Sequence, residues 1–315
     1  MLFAAASATA SQTFVQHCLT GLTIGSLIAL IALGYTMVYG IIGLINFAHG
    51  DLFMLGSFLA LTLVGWMGLD QENISAPTLV LGILGLLVAS TVFCGTLNVA
   101  VDRVVYRPLR NAPKLAPLVS ALGVSFVFMN IGQLWGGVAD RNFPALVADR
   151  NLLGASAIHF GVKDLLVMLI TIPLMAALTL FVRYTKMGTA MRATEQNPVA
   201  AQLMGINVDR VIAVTFAIGG GLAGSASVVY GLYIKTISWD VGFRNGLYAF
   251  TAAVLGGIGN IPGAVLGGLL IGLIRSLGSG YLGERWTSAL IFAILIVILV
   301  FRPAGLLGAR TRDKV

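Results

Sequence analysis

RYTKMGTAMRATEQNPVAAQLMGINVDR, running from Arg183 to Arg210, is the longest polar interval in a chain that is otherwise almost continuously apolar. It separates two apolar runs and carries a local code of its own. Asn197 followed by Pro198 is a helix start, because an Asn side chain accepts an orphan amide and Pro already holds the helical φ. Gly205 ends the same short segment as a C-cap. Arg183, Lys186, Arg192 and Arg210 outweigh Glu195 and Asp209. A short, capped helix in a basic loop between two spans reads as a surface offered to another protein.

Composition decides what lies on either side. Of 315 residues, 58% are hydrophobic and 10% charged, and the mean hydropathy is +0.95. Soluble domains carry about 25% charged residues, so the exterior of this molecule faces lipid. The fold class is all-α: a polytopic membrane helix bundle, read as one transmembrane domain over 1–315 with a cytoplasmic loop at 183–210. A helical span needs about 20 apolar residues, which sets the count at about nine, within eight to ten.

Taken in order, the spans are 14–39, 52–67, 78–101, 115–136, 162–182 and 211–234, then two crossings within 247–277, then 286–301. Two interruptions stand out, GIIGLINFAHGD (40–51) and GGIGNIPG (256–263), and both are read as broken or re-entrant segments. The first Lys or Arg in the chain is Arg103. A cleaved leader needs a basic n-region, so the first apolar run is expected to be a retained span.

The net charge of +7 points to orientation and not to nucleic acid. The segments 102–114, 183–210 and 302–315 hold four bases each, twelve of the 19. The positive-inside rule makes them cytoplasmic. Alternation then places the N-terminus outside and the C-terminus inside.

Asn46, His49, Asp51 and Asn260 sit in the two breaks. Polar groups at membrane depth are costly and by default mark a pathway, although a tight turn with Asn46 and His49 as caps explains them equally well. The likeness of the two breaks is a weak hint of internal repetition. Small-xxx-small pairs at Gly21/Gly25, Gly132/Gly136, Gly220/Gly224, Gly263/Gly267 and Gly268/Gly272 permit close helix contacts, mostly within the chain. Ser225, Ser227, Tyr230, Asn130 and Gln133 sit on apolar spans, where they either bond across helices or face a pore.

Several chemistries are absent. His17, His49 and His159 are scattered and the two cysteines, Cys18 and Cys94, lie in apolar runs, so no metal site or disulfide is expected. No G-x-x-x-x-G-K-[ST] loop occurs, so ATP hydrolysis by that route is excluded. No G-x-S-x-G or H-E-x-x-H signature occurs either. The bases are not stacked along a span, which argues against a voltage sensor.

Three blocks carry a family resemblance: GYTMVYGIIGLINFAHGDLFMLGSF (34–58), the stretch from Arg183 to Gly220, and FTAAVLGGIGNIPGAVLGGLLIG (250–272). They closely resemble the LivH-type permease of bacterial high-affinity branched-chain amino acid ABC transporters, and the resemblance runs from about Phe14 to Gly308. It implies an inner-membrane permease subunit paired with a different permease, two cytoplasmic ATPase subunits that bind ATP and Mg, and a periplasmic substrate-binding protein. It places the coupling helix around Glu195, Asn197, Pro198, Ala201 and Gly205. Related permeases carry urea, short amides or other amino acids, and these stay open as alternative cargoes. From the residues alone, an ion-driven secondary transporter using His49 and Asp51 as a proton relay is a further alternative.

Overall fold

The computed structural model describes residues 10–71, 74–110, 112–113, 115–154 and 158–308. Residues 1–9, Lys114 and the bases beyond 308, which the readings above include, lie outside the described residues. The rest is a bundle of α-helices. In chain order they are α1 (Ala10–Ile42), α2 (His49–Trp66), α3 (Ala76–Val101), a π-helical turn (Asp102–Tyr106) leading into α4 (Arg107–Leu109), and α5 (Leu115–Gly136). Then follow α6 (Val162–Tyr184), α7 (Lys186–Gln196), α8 (Pro198–Leu203), α9 (Val208–Ile234), α10 (Val241–Gly256), α11 (Ile261–Tyr281) and α12 (Glu284–Phe301). The only sheet among the described residues pairs β1 (Arg141–Asn142) with β2 (Thr236–Ile237).

Eight of these helices are long and apolar enough to span a membrane. α10, with 16 residues and a length of roughly 24 Å, is not among them. It begins at Val241, inside a stretch read from sequence as a loop up to Gly246. The reason is size. Gly242, Asn245 and Gly246 look like loop residues but are buried in α10, and both glycines pack against Gly50.

α1 and α9 form the centre, with 72% and 78% of their apolar windows buried, whereas α12 buries only 11% and faces outward. Around this centre the chain builds two three-helix units, α1–α2–α3 and α9–α10–α11. α1 packs along α11 and α3 along α9, both antiparallel, while α1 meets α9 and α2 meets α10. The contacts are reciprocal. A Cβ on Gly34 would stand 3.1 Å from the Gly219 carbonyl oxygen, and one on Gly219 would stand 3.3 Å from that of Gly34. Because α1 runs toward the basic loops and α9 away from them, the units are an inverted repeat of the kind membrane transporters use.

This pairing differs from the sequence expectation. The break before α2 corresponds to the segment before α10, not to GGIGNIPG. Polar content masked the register, since the equivalent segments 43–48 and 235–240 share no motif.

All five small-xxx-small pairs work inside the chain. Gly21, Gly25, Gly268 and Gly272 zip α1 to α11, and Gly220 and Gly224 seat α9 on Cys94 and Ser90 of α3. Gly132 and Gly136 receive Met54 and Phe58 of α2, while Gly263 and Gly267 close the α10–α11 hairpin. With lipid on the outside there is no hydrophobic drive between helices, so close backbone packing takes its place.

Candidate functional site

Two regions concentrate polar chemistry: the end of the bundle that carries the basic loops, and a buried cluster near α2.

At the basic end, the chain leaves α6 and turns at once. Thr185 caps α7 by accepting the Gly188 amide at 3.0 Å. Arg192 then reaches back to the carbonyls of Val182 and Arg183, folding α7 against the end of α6. Asn197 ends α7 and starts α8: its Oδ1 accepts the amides of Val199 and Ala200 at 3.0 Å each. Pro198 occupies the first helical position. The amide of Ile206 bonds to the Ala201 carbonyl and that of Gly205 to the Gln202 carbonyl, both at 3.0 Å. That is a Schellman closure, and Gly205 supplies its left-handed residue with φ +83°. Ala201 is buried, while Val199, Leu203 and Met204 stand 67%, 84% and 83% exposed. α8 is thus a rigid knob with an apolar outer surface.

Beside it, Asp209 of α9 pairs with Arg107 at 2.7 Å and also with Arg110, and Arg110 bonds the buried Asp102 at 2.9 Å. This network fastens the π-helical end of α3 to the start of α9. Its outer pair is half exposed, so its energy is small and its value is positional.

Glu195 lies in the same loop but points the other way. Its carboxylate faces the end of α1 and the α10–α11 turn: a Cβ on Gly40 or on Gly259 would stand 3.6 Å from Oε1. Partial burial pushes its pKa above the ordinary carboxylate value. The carboxylate opens on a cavity of about 560 Å³ walled by α1, α6, α7 and the α10–α11 turn. A second cavity of about 560 Å³, lined by Arg110, Asp209 and Gln202, lies on the other side of the end of α1.

Asn260 also lies at this basic end. It caps α11 by accepting the Gly263 amide at 3.0 Å and donates to the Leu307 carbonyl at 2.7 Å. Residues 306 and 307 pair their amides with the carbonyls of Leu255 and Gly256. The turn at 257–260 is therefore a closed hairpin under the tail and does not re-enter the bundle. Asn260 is remote from the other three polar residues singled out with it.

Those three are all buried at the start of α2 and in the turn before it, but each side chain meets a different neighbour. After α1 the chain folds back into the bundle, and His49 at the start of α2 sits level with Gly34, where a Cβ would collide with its ring. The segment at 43–48 is the re-entrant one. Asn46 donates to Asn98 Oδ1 at 3.1 Å, and Asn98 donates to the Phe216 carbonyl at 2.7 Å. His49 meets Tyr35 edge-on at 4.8 Å. Asp51 is wholly buried, with Oδ2 accepting from Ser125 and Oδ1 unpartnered.

Asn98 and Ser125 are the partners of Asn46 and Asp51 and were not singled out from sequence. An Asn in the apolar run FCGTLNVAV was the available signal for the first. Of the polar span residues that were, Ser225 bonds Thr91 across helices at 2.7 Å. Tyr230 stacks edge-on against Phe53 at 5.2 Å, and Asn130 bonds back to the Phe126 carbonyl of its own helix.

The family of branched-chain amino acid transport system permease components matches residues 18–299. The chain belongs to this family. Among relatives of this permease, the high-affinity branched-chain amino acid transport system permease protein BraD of Pseudomonas aeruginosa is 41% identical over 308 residues, covering 96% of this chain and 98% of that one. The LivH permease proteins of Salmonella typhimurium and Escherichia coli, named for the same kind of system, are 40% and 41% identical with the same coverage. No solved structure matches.

Proposed function

We propose that this chain is the permease subunit of an ABC importer for branched-chain amino acids, and that α8 is the element through which ATP hydrolysis in other subunits moves it. The observation that carries the reading is the knob of Val199, Leu203 and Met204, apolar and solvent-facing on a helix locked at both ends by Asn197 and Gly205. An exposed apolar cluster on a polar loop marks a protein contact. Pro198 and Ala201 hold its shape. Glu195 belongs to the same loop but serves its inner face.

In this reading the basic segments lie in the cytoplasm of a bacterial inner-membrane protein, with the N-terminus on the periplasmic side. The partners are a second, different permease chain, two ATPase subunits that hold ATP and Mg, a periplasmic binding protein and the lipid bilayer. Nucleic acid has no part. Closure of the ATPase pair pushes on α8 and, through Arg192 and the Asp209 network, on the ends of α6, α3 and α9. The inverted units supply two discrete packings that such a push can bias. The buried set of Asn46, His49 and Asp51 lies where those units meet, and it fixes the re-entrant segment in one of the packings.

The test is leucine uptake by cells lacking the gene for this chain, with and without its restoration. Restored uptake of leucine, isoleucine and valine is expected. Normal leucine uptake without the chain, together with loss of urea or amide uptake, overturns the cargo.

A further inference from the structure

Two charged groups at the mouth of the cavity beneath Glu195, and one buried hydroxyl in its wall, make no ion pair or hydrogen bond to each other. The Glu195 carboxylate makes no hydrogen bond or ion pair among the described residues. Arg183 makes no ion pair and lies over the Tyr184 ring at 5.4 Å. Thr36 is 1% exposed, and its hydroxyl, which in a helix ordinarily bonds the preceding turn, has no partner. Met37, Ile41 and Ile258 make the same cavity apolar on the bundle side.

A buried hydroxyl left unpaired costs free energy, while Glu195 and Arg183 stand exposed at the mouth of the cavity and keep much of their water. A hydroxyl like that of Thr36 persists where a ligand completes it. Two bases and one acid border a single cavity of about 560 Å³. Since Arg192 is held by the carbonyls of Val182 and Arg183, Glu195 and Arg183 are left to match a small zwitterion with an apolar side chain.

We infer that this cavity binds a free α-amino acid from the side of the basic loops, its ammonium on Glu195, its carboxylate on Arg183, its side chain against Met37, Ile41 and Ile258, and a polar atom on Thr36. The inference rests on the reading of the chain as an amino acid permease. It adds a site reached without the binding protein. Glu195 stands two residues before Asn197, the joint between α7 and α8, so occupancy is felt by the helix that meets the partners.

The experiment uses the purified assembled transporter, without binding protein, titrated with radiolabelled leucine. Saturable binding is expected, weakened about ten-fold by Glu195→Gln and likewise by Arg183→Gln, since each loses a charge-assisted hydrogen bond. On the unaltered complex, isoleucine and valine should compete. 4-Methyl-2-oxopentanoate, which lacks the ammonium, should not, and this arm stands even if a variant fails to assemble. Absence of saturable binding, binding untouched by both substitutions, or equal competition by the oxo acid overturns the site. The same complex with binding protein in vesicles separates the two ideas. Uptake without Glu195-dependent binding removes the cavity alone, and no uptake of any amino acid removes the permease reading beneath it.

Discussion

Gly50 and Gly242 occupy equivalent places in the two inverted units and touch reciprocally: a Cβ on Gly50 would fall 2.5 Å from the Gly242 carbonyl oxygen, and one on Gly242 would fall 2.6 Å from that of Gly50. Neither residue tolerates a side chain unless α2 and α10 move apart. Gly50→Ala and Gly242→Ala should each cost about 1–3 kcal/mol through overpacking. In the double variant the costs should not add, because the first separation makes room for the second methyl. Thermal unfolding in detergent measures both. Additive losses would show that the two sites do not share one contact.

Asn98 joins the re-entrant segment to α9 by accepting from Asn46 and donating to the Phe216 carbonyl. Asn98→Leu leaves the buried Asn46 amide without its partner, at about 1–3 kcal/mol, while the Phe216 carbonyl, in the interior of α9, keeps its helix bond. The expected result is a lower unfolding temperature together with new protease sensitivity near residues 43–48. Equal loss of stability with no change in cleavage there would place the effect elsewhere in α3.

Ala201 donates its amide to the Asn197 carbonyl at 3.0 Å, so Ala201→Pro removes a helix bond at a cost of about 3 kcal/mol. The spans do not depend on α8. Membrane insertion should therefore stay normal while ATP hydrolysis stops responding to loaded binding protein. Unchanged transport would reduce α8 to a connector.

Leu203 and Met204 touch little within the chain, so Leu203→Ser with Met204→Ser should alter folding stability by no more than about 0.5 kcal/mol. Co-purification with the ATPase subunits should fall sharply. A full complement of partners on the double variant would exclude the knob as the contact.

Glu195 gives a pH signature. Its folded pKa is raised by desolvation, so the folded state binds the proton more tightly than the unfolded chain does. Stability from this group is complete below the ordinary carboxylate range and declines as pH rises through the raised folded value. Glu195→Gln stays neutral throughout and should be the more stable form near pH 7, with the gap closing toward pH 4. Unfolding temperatures of both forms across that range test it. A gap that widens on acidification would mean that Glu195 is paired in the folded protein.

How much of this was legible in the sequence depends on how local each cause is. α8 was legible because its start and stop rest on residues within one turn, Asn197 with Pro198 and Gly205. The small-residue spacings were legible as contacts, but their partners were not. Gly272 meets Gly25 through a packing that no local pattern encodes. The inward turn of Glu195 was readable but missed: Gly188, Met191 and Thr194 are the buried face of α7, and Glu195 follows Met191 by four, on the same side. The grouping of Asp51 with Ser125, and of Asn46 with Asn98, needed the fold, since each pair is brought together from distant parts of the chain.

The exchange of partners between the two units also sets an order of events during synthesis. Gly21 and Gly25 lie against Leu273 and Leu269, so the surface α1 is shaped to meet is made about 250 residues later. At roughly 5–20 residues per second, α1 waits in the membrane for tens of seconds with its glycine face open. During that interval the nascent chain depends on whatever else in the bilayer can occupy the groove. A ribosome stalled before α11 would therefore release not a half-folded bundle but a set of helices missing their counterparts.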